Sequence, residues 1–301
     1  VNTVDAHSDH KYFESLAEFS EGEMKLRQSL NGKWKIHYAQ NTNQVLKDFY
    51  KTEFDETDLN FINVPGHLEL QGFGSPQYVN TQYPWDGKEF LRPPQVPQES
   101  NAVASYVKHF TLNDALKDKK VFISFQGVAT SIFVWVNGNF VGYSEDSFTP
   151  SEFEISDYLV EGDNKLAVAV YRYSTASWLE DQDFWRLYGI FRDVYLYAIP
   201  KVHVQDLFVK GDYDYQTKAG QLDIDLKTVG DYEDKKIKYV LSDHEGIVTE
   251  GDASVNADGE LSVSLEDLQI KPWSAESPKL YNLTLHVLDD DQVVEVVPVK
   301  V

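Results

Sequence analysis

Between residues 121 and 170 the apolar side chains recur at every second position: Val121, Ile123 and Phe125 alternate with polar neighbours, and Leu166, Val168 and Val170 do the same. A period of two belongs to a strand with one face buried, whereas a helix would show a period near 3.6. Between these runs, Val134-Trp135-Val136-Asn137-Gly138-Asn139-Phe140-Val141 sets an Asn-Gly pair between two strand-like stretches. Both residues accept positive φ, so a tight hairpin is expected there. Aromatic residues are 14% of the chain, which favours strands further. Helical spacing is persuasive only from Glu14 to Leu30, where Leu16, Phe19 and Met24 are too few to fix a long helix. The fold class expected is therefore all-β.

A chain of 301 residues exceeds the usual span of one hydrophobic core, which points to two domains. The aromatic-rich stretch ends around Ile199-Pro200-Lys201, and plainer alternation follows in Leu222, Ile224, Leu226, then Ile237, Tyr239, Leu241, then Leu261, Val263, Leu265, and finally Tyr281, Leu283, Leu285, Val287. Roughly seven short strands in about a hundred residues is the pattern of an immunoglobulin-like sandwich. The expected organisation is an N-terminal arm (1–27), a jelly-roll-like β-sandwich (28–201) and an immunoglobulin-like β-sandwich (202–301). The run Asp289-Asp290-Asp291 reads as a hairpin turn, and the loop from Gly74 to Ser100, with its five prolines, as an extended surface segment.

Charge narrows the function. The chain carries 27 Lys and Arg against 49 Asp and Glu, a net charge of -22, which repels phosphate backbones and anionic lipid. Neither nucleic acid nor a membrane is an expected partner. The absence of cysteine excludes disulfide and thiol chemistry and suits a reducing compartment, so the cytoplasm is the expected location. No apolar run approaches the roughly 20 residues of a membrane span, and the stretch from Val1 to Phe13 lacks the pattern of an export signal. Because the chain opens on Val1 and closes within the strand-like run Gln292 to Val301, it is expected to be part of a longer protein. Of the eight histidines only His7 and His10 lie close together, too few for a metal site; that arm is expected to pack on other domains or subunits.

The segment from Trp178 to Val194, WLEDQDFWRLYGIFRDV, crowds acids, two arginines and large aromatics into seventeen residues, with Gly189 at a tight backbone position. Two readings stand side by side. Sugar sites combine aromatic faces that cover C–H surfaces with carboxylates and amides that bind hydroxyls. A strand edge, with Arg186 or Arg192 paired to neighbouring acids and the aromatics in the core, uses the same residues.

This segment resembles the motif that closes the N-terminal sandwich in glycoside hydrolase family 2, specifically its large β-galactosidases. Further stretches agree in the same order: Leu30-Asn31-Gly32-Lys33-Trp34, Tyr78-Val79-Asn80-Thr81-Gln82-Tyr83-Pro84, Pro93-Pro94-Gln95-Val96-Pro97, Val136-Asn137-Gly138, Asn164-Lys165-Leu166-Ala167-Val168 and Trp273 to Tyr281. The resemblance covers nearly the whole chain, and the Glu-Asp-Gln-Asp-x-Trp-Arg and Tyr-x-Asn-x-x-Tyr-Pro runs are similar to the galactosidase branch rather than to β-glucuronidases or β-mannosidases. It implies that Asp183 reaches into the active site of a catalytic barrel and helps hold a sodium ion contacting the galactosyl 6-hydroxyl. It implies too that Asn80 contacts sugar hydroxyls. Oxygen ligands suit a hard cation, and an amide both donates and accepts. Arg186 is implied to support these residues from behind.

In that family a retaining mechanism uses two carboxylates about 5–5.5 Å apart, and both, with the magnesium ligands, lie on barrel strands beyond residue 301. The chain is thus expected to be the non-catalytic N-terminal part of a hydrolase of terminal β-galactosides such as lactose. Magnesium and sodium would serve the intact enzyme, neither held tightly by this part alone. Its partners would be the β-galactoside substrate and the remaining domains or a small subunit, in an oligomer. Pairs such as Glu145 with Asp146, or Asp181 with Asp183, do not resemble a catalytic dyad. The competing readings are a stand-alone carbohydrate-binding module and a purely structural pair of β domains.

Overall fold

The computed structural model describes residues 4–301, so Val1 to Thr3 of the expected arm lie outside the described residues. The chain divides into two compact units, one containing Arg27–Ala198 and the other combining Asp5–Leu26 with Ile199–Val301. Both are β structures. Among the described residues α-helix is confined to Leu16–Glu21 and Ser177–Glu180, and no helix is long and apolar enough to cross a membrane.

The first unit is a sandwich of antiparallel strands. Its four-stranded sheet runs in the order Arg27–Ser29, Val194–Tyr197, Phe122–Phe125, Ser151–Glu154. Its six-stranded sheet runs Asn60–Val64, Gly32–Ala39, Val103–Thr111, Asp163–Tyr171, Ser131–Val136, Asn139–Ser144. The Asn-Gly hairpin forms where expected, with Asn137 at φ 49° and Gly138 at φ 82°. The Asn137 amide then does more than turn the chain: it donates to the Asn164 side chain (2.8 Å) and accepts the Lys165 N–H (2.9 Å), locking the hairpin to the neighbouring strand.

The strand Asp163–Tyr171 departs from the simple alternation. Ala167 and Ala169, between the apolar residues of the pattern, are buried as completely as Leu166, Val168 and Val170. The cause is a layer on the outer face of the sheet: Phe49 packs with Val103, Val107, Ala167 and Ala169, flanked by Tyr50 and Phe54. Small alanines leave room for those rings. Tyr50 stacks on Trp135 with ring centroids 5.1 Å apart. The layer is fastened by Lys165, whose ammonium lies 2.9 Å from Glu56 Oε1 and donates to the Lys51 carbonyl at 2.7 Å, with its side chain almost wholly buried.

The second unit has the seven strands of an immunoglobulin-like sandwich. Three (Val202–Asp214, Ala219–Gly230, Glu260–Leu268) face four (Gly246–Ser254, Lys236–Asp243, Asn282–Asp289, Gln292–Lys300, in sheet order). Asp290, at φ 51°, makes the hairpin turn between the last two. Helical structure near the N-terminus is short: Ser15 caps Leu16–Glu21, and Gly22 in the left-handed conformation ends it. The arm joins this unit edge-on, since Phe13 and Val296 exchange backbone hydrogen bonds of 3.0 and 2.8 Å. The Ser8 hydroxyl donates to Asp206 at 2.5 Å and accepts the Leu207 N–H at 2.9 Å.

One titratable group ties the arm down. The His10 ring stacks on His203 (5.7 Å between centroids), and His203 Nδ1 in turn sits 2.5 Å from the buried Glu295 carboxylate. Burial, then the neighbouring His203 and His7, lower the His10 pKa from 6.5 to about 4. The unfolded chain therefore takes up this proton at higher pH than the folded one. Stability from this group is fully present above about pH 6.5 and is lost as the pH falls toward 4. Replacing His10 by Gln should flatten that part of the acid loss, measured as the difference between variant and parent urea midpoints at pH 7, 5.5 and 4.5.

Candidate functional site

The stretch after the central strand builds the site. From Tyr171 the chain passes through Arg172 and Tyr173 into the turn of helix Ser177–Glu180, then into the short strand Phe184–Arg186. That strand pairs antiparallel with Gln77–Val79, in the register Phe184↔Val79, Trp185↔Tyr78 and Arg186↔Gln77. Asp183 and Asn80 are the residues that adjoin the last pair of this ladder, Phe184↔Val79. The two positions singled out in the sequence, a hundred residues apart, thus lie at the same end of one two-stranded ribbon, and both are exposed.

Each strand of the ribbon is anchored from behind. Gln77 accepts from the Arg172 guanidinium and the Tyr173 hydroxyl, both at 3.2 Å, and its amide donates to the Pro84 carbonyl at 3.0 Å. The loop from Gly74 to Ser100 is on the surface yet far from loose. It runs as turns around this short strand, and Trp85 within it is 1% exposed, stacked on Tyr83 and edge-on to Trp178 and Tyr173. The Trp178 indole donates to the Gln95 carbonyl at 2.8 Å, closing the loop over the helix. On the other strand, Arg186 is buried and pairs with Asp181. It also donates to the carbonyls of Gln182 and, at 3.3 Å, Phe184, with the Phe184 ring 4.2 Å from its guanidinium carbon. Residues 181, 182 and 184 are all held by one side chain, so the backbone around Asp183 has little freedom. Gly189 lies where a Cβ would come within 2.9 Å of the Tyr106 hydroxyl, at φ +106°, which accounts for glycine there.

The acids around the ribbon differ in their duties. Glu145 accepts from the Tyr143 and Thr175 hydroxyls and from the Ala176 N–H at the start of the helix. Asp146 caps its own turn, accepting the Phe148 and Thr149 N–H groups at 3.0 Å. Glu180 holds Ser147 through its N–H and hydroxyl at 2.9 and 2.7 Å. Burial pushes the Asp181 carboxyl up, against the opposing pull of Arg186. Asp183 receives a neutral donor instead, the Tyr78 hydroxyl. Of the arginine–acid pairings considered from the sequence, Arg186 forms one with Asp181, whereas Arg192 donates to the Phe148 carbonyl at 2.7 Å. The exposed Asn80 accepts the Thr81 N–H on its amide oxygen at 2.6 Å.

Beside Arg186 opens a cavity of about 270 Å³, walled by Phe148, Phe184, Trp185, Tyr188 and Phe191, with Thr130, Ser147 and Glu180 as polar points. Trp185 is 59% exposed at its rim. Tyr78 went unread in the sequence, although it belongs to the same run as Asn80; its partner across the ribbon was the missing information. Among the described residues no group of three or more His, Cys, Asp or Glu is placed to hold a metal ion. Removing the clamp should unfold more than the site: Arg186→Ala strands the half-buried Asp181 carboxylate and should cost about 3 kcal/mol in urea unfolding. Asp183→Asn, at an exposed position, should stay within about 0.5 kcal/mol of the parent.

Comparison with known proteins agrees with this architecture. Residues 27–200 match the family model described as "Glycosyl hydrolases family 2, sugar binding domain", and residues 202–301 match "Glycosyl hydrolases family 2". The chain is 98% identical over its whole length to a β-galactosidase of Streptococcus thermophilus, of which it covers 29%. It is 50% identical to a β-galactosidase of Clostridium acetobutylicum, covering 34% of that protein. Over 99% of its length it is 43% identical to a β-galactosidase large subunit of Leuconostoc lactis, covering 49%. The chain therefore spans between under a third and about half of these relatives. Among solved structures, a Bifidobacterium dentium β-glucuronidase superposes with a TM-score of 0.69 over 91% of this chain and 47% of its own, at 15% identity, a likeness of fold alone. With both units matched, and with relatives this similar over its full length, the chain belongs to glycoside hydrolase family 2.

Proposed function

We propose that this chain is the N-terminal, non-catalytic part of a β-galactosidase, in which the sandwich of the first unit supplies one wall of the substrate pocket. The observation that carries the proposal is the ribbon end, where an exposed Asp183 carboxylate, partnered by a neutral phenol, and Asn80 both adjoin the last pair of the ladder. A stand-alone sugar-binding module would need these groups to complete a site by themselves. Instead they form an exposed edge that offers one carboxylate and one amide. The donor chemistry fits a hard monovalent cation in part: Asp183 offers a charged oxygen, and among the described residues no cluster of three or more His, Cys, Asp or Glu accompanies it. Bound there, sodium would supply a positive charge to orient a sugar hydroxyl. Asp183 would hold the ion, and Asn80 would donate to a neighbouring hydroxyl. Magnesium is proposed only for the intact enzyme.

The lengths of the relatives bear on the parent's form. The 98% identical protein is more than three times the length of this chain and is called a β-galactosidase, whereas the relatives called large subunits are about twice its length and 38–43% identical. This favours a single long parent chain over a pairing with a separate small subunit.

Purified residues 1–301 should show no measurable turnover of a chromogenic β-galactoside, because the acid/base and nucleophile that lower the barrier lie elsewhere. Clear turnover would overturn the assignment. In the full-length parent, Asp183→Asn should lower kcat/KM by roughly a hundredfold and weaken the sodium dependence of the rate, while the thermal midpoint stays put. A destabilised variant with a normal sodium response would instead mark Asp183 as structural.

A further inference from the structure

We infer that Tyr78 is a positioning residue for Asp183: its hydroxyl occupies Oδ1 of the carboxylate and leaves Oδ2 as the oxygen offered to a ligand. This rests on the reading of Asp183 given above and adds to it the group that aims it.

The geometry begins with the ribbon. Tyr78 pairs across it with Trp185, and their rings lie 5.7 Å apart in a tilted arrangement. From there the phenol reaches along the ribbon to the next step of the ladder, where Asp183 sits, and donates to Oδ1. A carboxylate exposed at a strand end would otherwise turn about two side-chain torsions, and ordering it on ligand binding would cost free energy each time. The hydrogen bond orders it beforehand. The backbone beneath is already held by Arg186 through Asp181, Gln182 and Phe184. Side chain and backbone of this position are therefore fixed by separate residues.

The identity of the donor matters as much as its place. The same three-residue stretch holds two aspartates: Asp181 is partnered by a guanidinium, Asp183 by a phenol. An arginine would neutralise the carboxylate it orients, whereas a neutral hydroxyl orients it and leaves its full charge for a cation.

The test uses the full-length enzyme with Tyr78→Phe, Asp183→Asn and the double variant. Two quantities are read at constant ionic strength, with choline replacing sodium: the sodium concentration that half-saturates kcat/KM, and the rise in thermal midpoint that sodium produces. Phenylalanine keeps the ring, so the midpoint without sodium should be unchanged. Loss of one hydrogen bond should raise the half-saturating sodium concentration about fivefold and shrink the sodium-induced rise. In the Asp183→Asn background, Tyr78→Phe should add nothing, because a residue that acts through another has no effect once the other is altered. A lost sodium response in Asp183→Asn with a normal one in Tyr78→Phe overturns the role of the tyrosine alone, as would additive effects in the double variant, which would mean that Tyr78 meets the ligand itself. A normal sodium response in Asp183→Asn overturns the reading of the site and this inference with it.

Discussion

The first unit depends on a strand that is covered on both faces. In most antiparallel sandwiches one face of a sheet meets water. Here the outer face of Asp163–Tyr171 is roofed by Phe49 and its neighbours, and the roof is fastened through the buried Lys165 to Glu56 and to the Lys51 carbonyl. A buried ammonium without partners would be costly; with a carboxylate and a carbonyl in contact it becomes a rivet. The consequence reaches the candidate site directly, because the chain leaves this strand at Tyr171 and enters the segment that bears Asp183 within a dozen residues. A ligand-facing edge gains its precision from the rigidity of the element that feeds it.

An acidic chain of this kind could scatter its carboxylates over a solvated surface. Around the ribbon it does not. Glu145, Asp146, Glu180 and Asp181 each satisfy backbone N–H groups, hydroxyls or a guanidinium that would otherwise lack partners, and they convert a stretch of irregular chain into a fixed shape. Against that background the exposed Asp183, held by a neutral phenol, stands out by contrast rather than by composition. The distinction between an acid paired with a cation and one held by a neutral donor appears only when partners are known.

Much of the fold was legible because local chemistry and global architecture agree. Period-two runs became strands, Asn137-Gly138 became the hairpin turn, Asp289 to Asp291 became another, and Gly189 took the one conformation that demands glycine. Asn80 and Asp183 could be singled out by their motifs, although nothing in their spacing showed that they share a ribbon. What escaped was information carried by partners distant in sequence. Ala167 and Ala169 look indifferent in a strand pattern, since alanine serves a solvent-facing position as well as one beneath an aromatic ring, and only Phe49 decides between them. Tyr78 was passed over for the same reason: a tyrosine in a strand is usually a packing residue, and its hydroxyl acquires meaning only from the acid across the ribbon. The arm, too, was readable as an arm but not as part of the second sandwich, because its anchor Val296 lies nearly the whole chain away.

That anchor has a consequence for how the polypeptide comes to be folded. The bridge between Phe13 and Val296 makes the second unit discontinuous, with the entire first sandwich inserted between its pieces. A ribosome delivers Phe13 long before Val296, so this bridge cannot close until some three hundred residues have been made. The inserted sandwich has no such wait, since its own strands lie within residues 27–198. Once compact, it replaces a long floppy loop with a short span and lowers the entropic barrier to closing the outer unit. The order of assembly is then set by topology: the inner sandwich acts as the staple that brings the two ends of the outer one within reach.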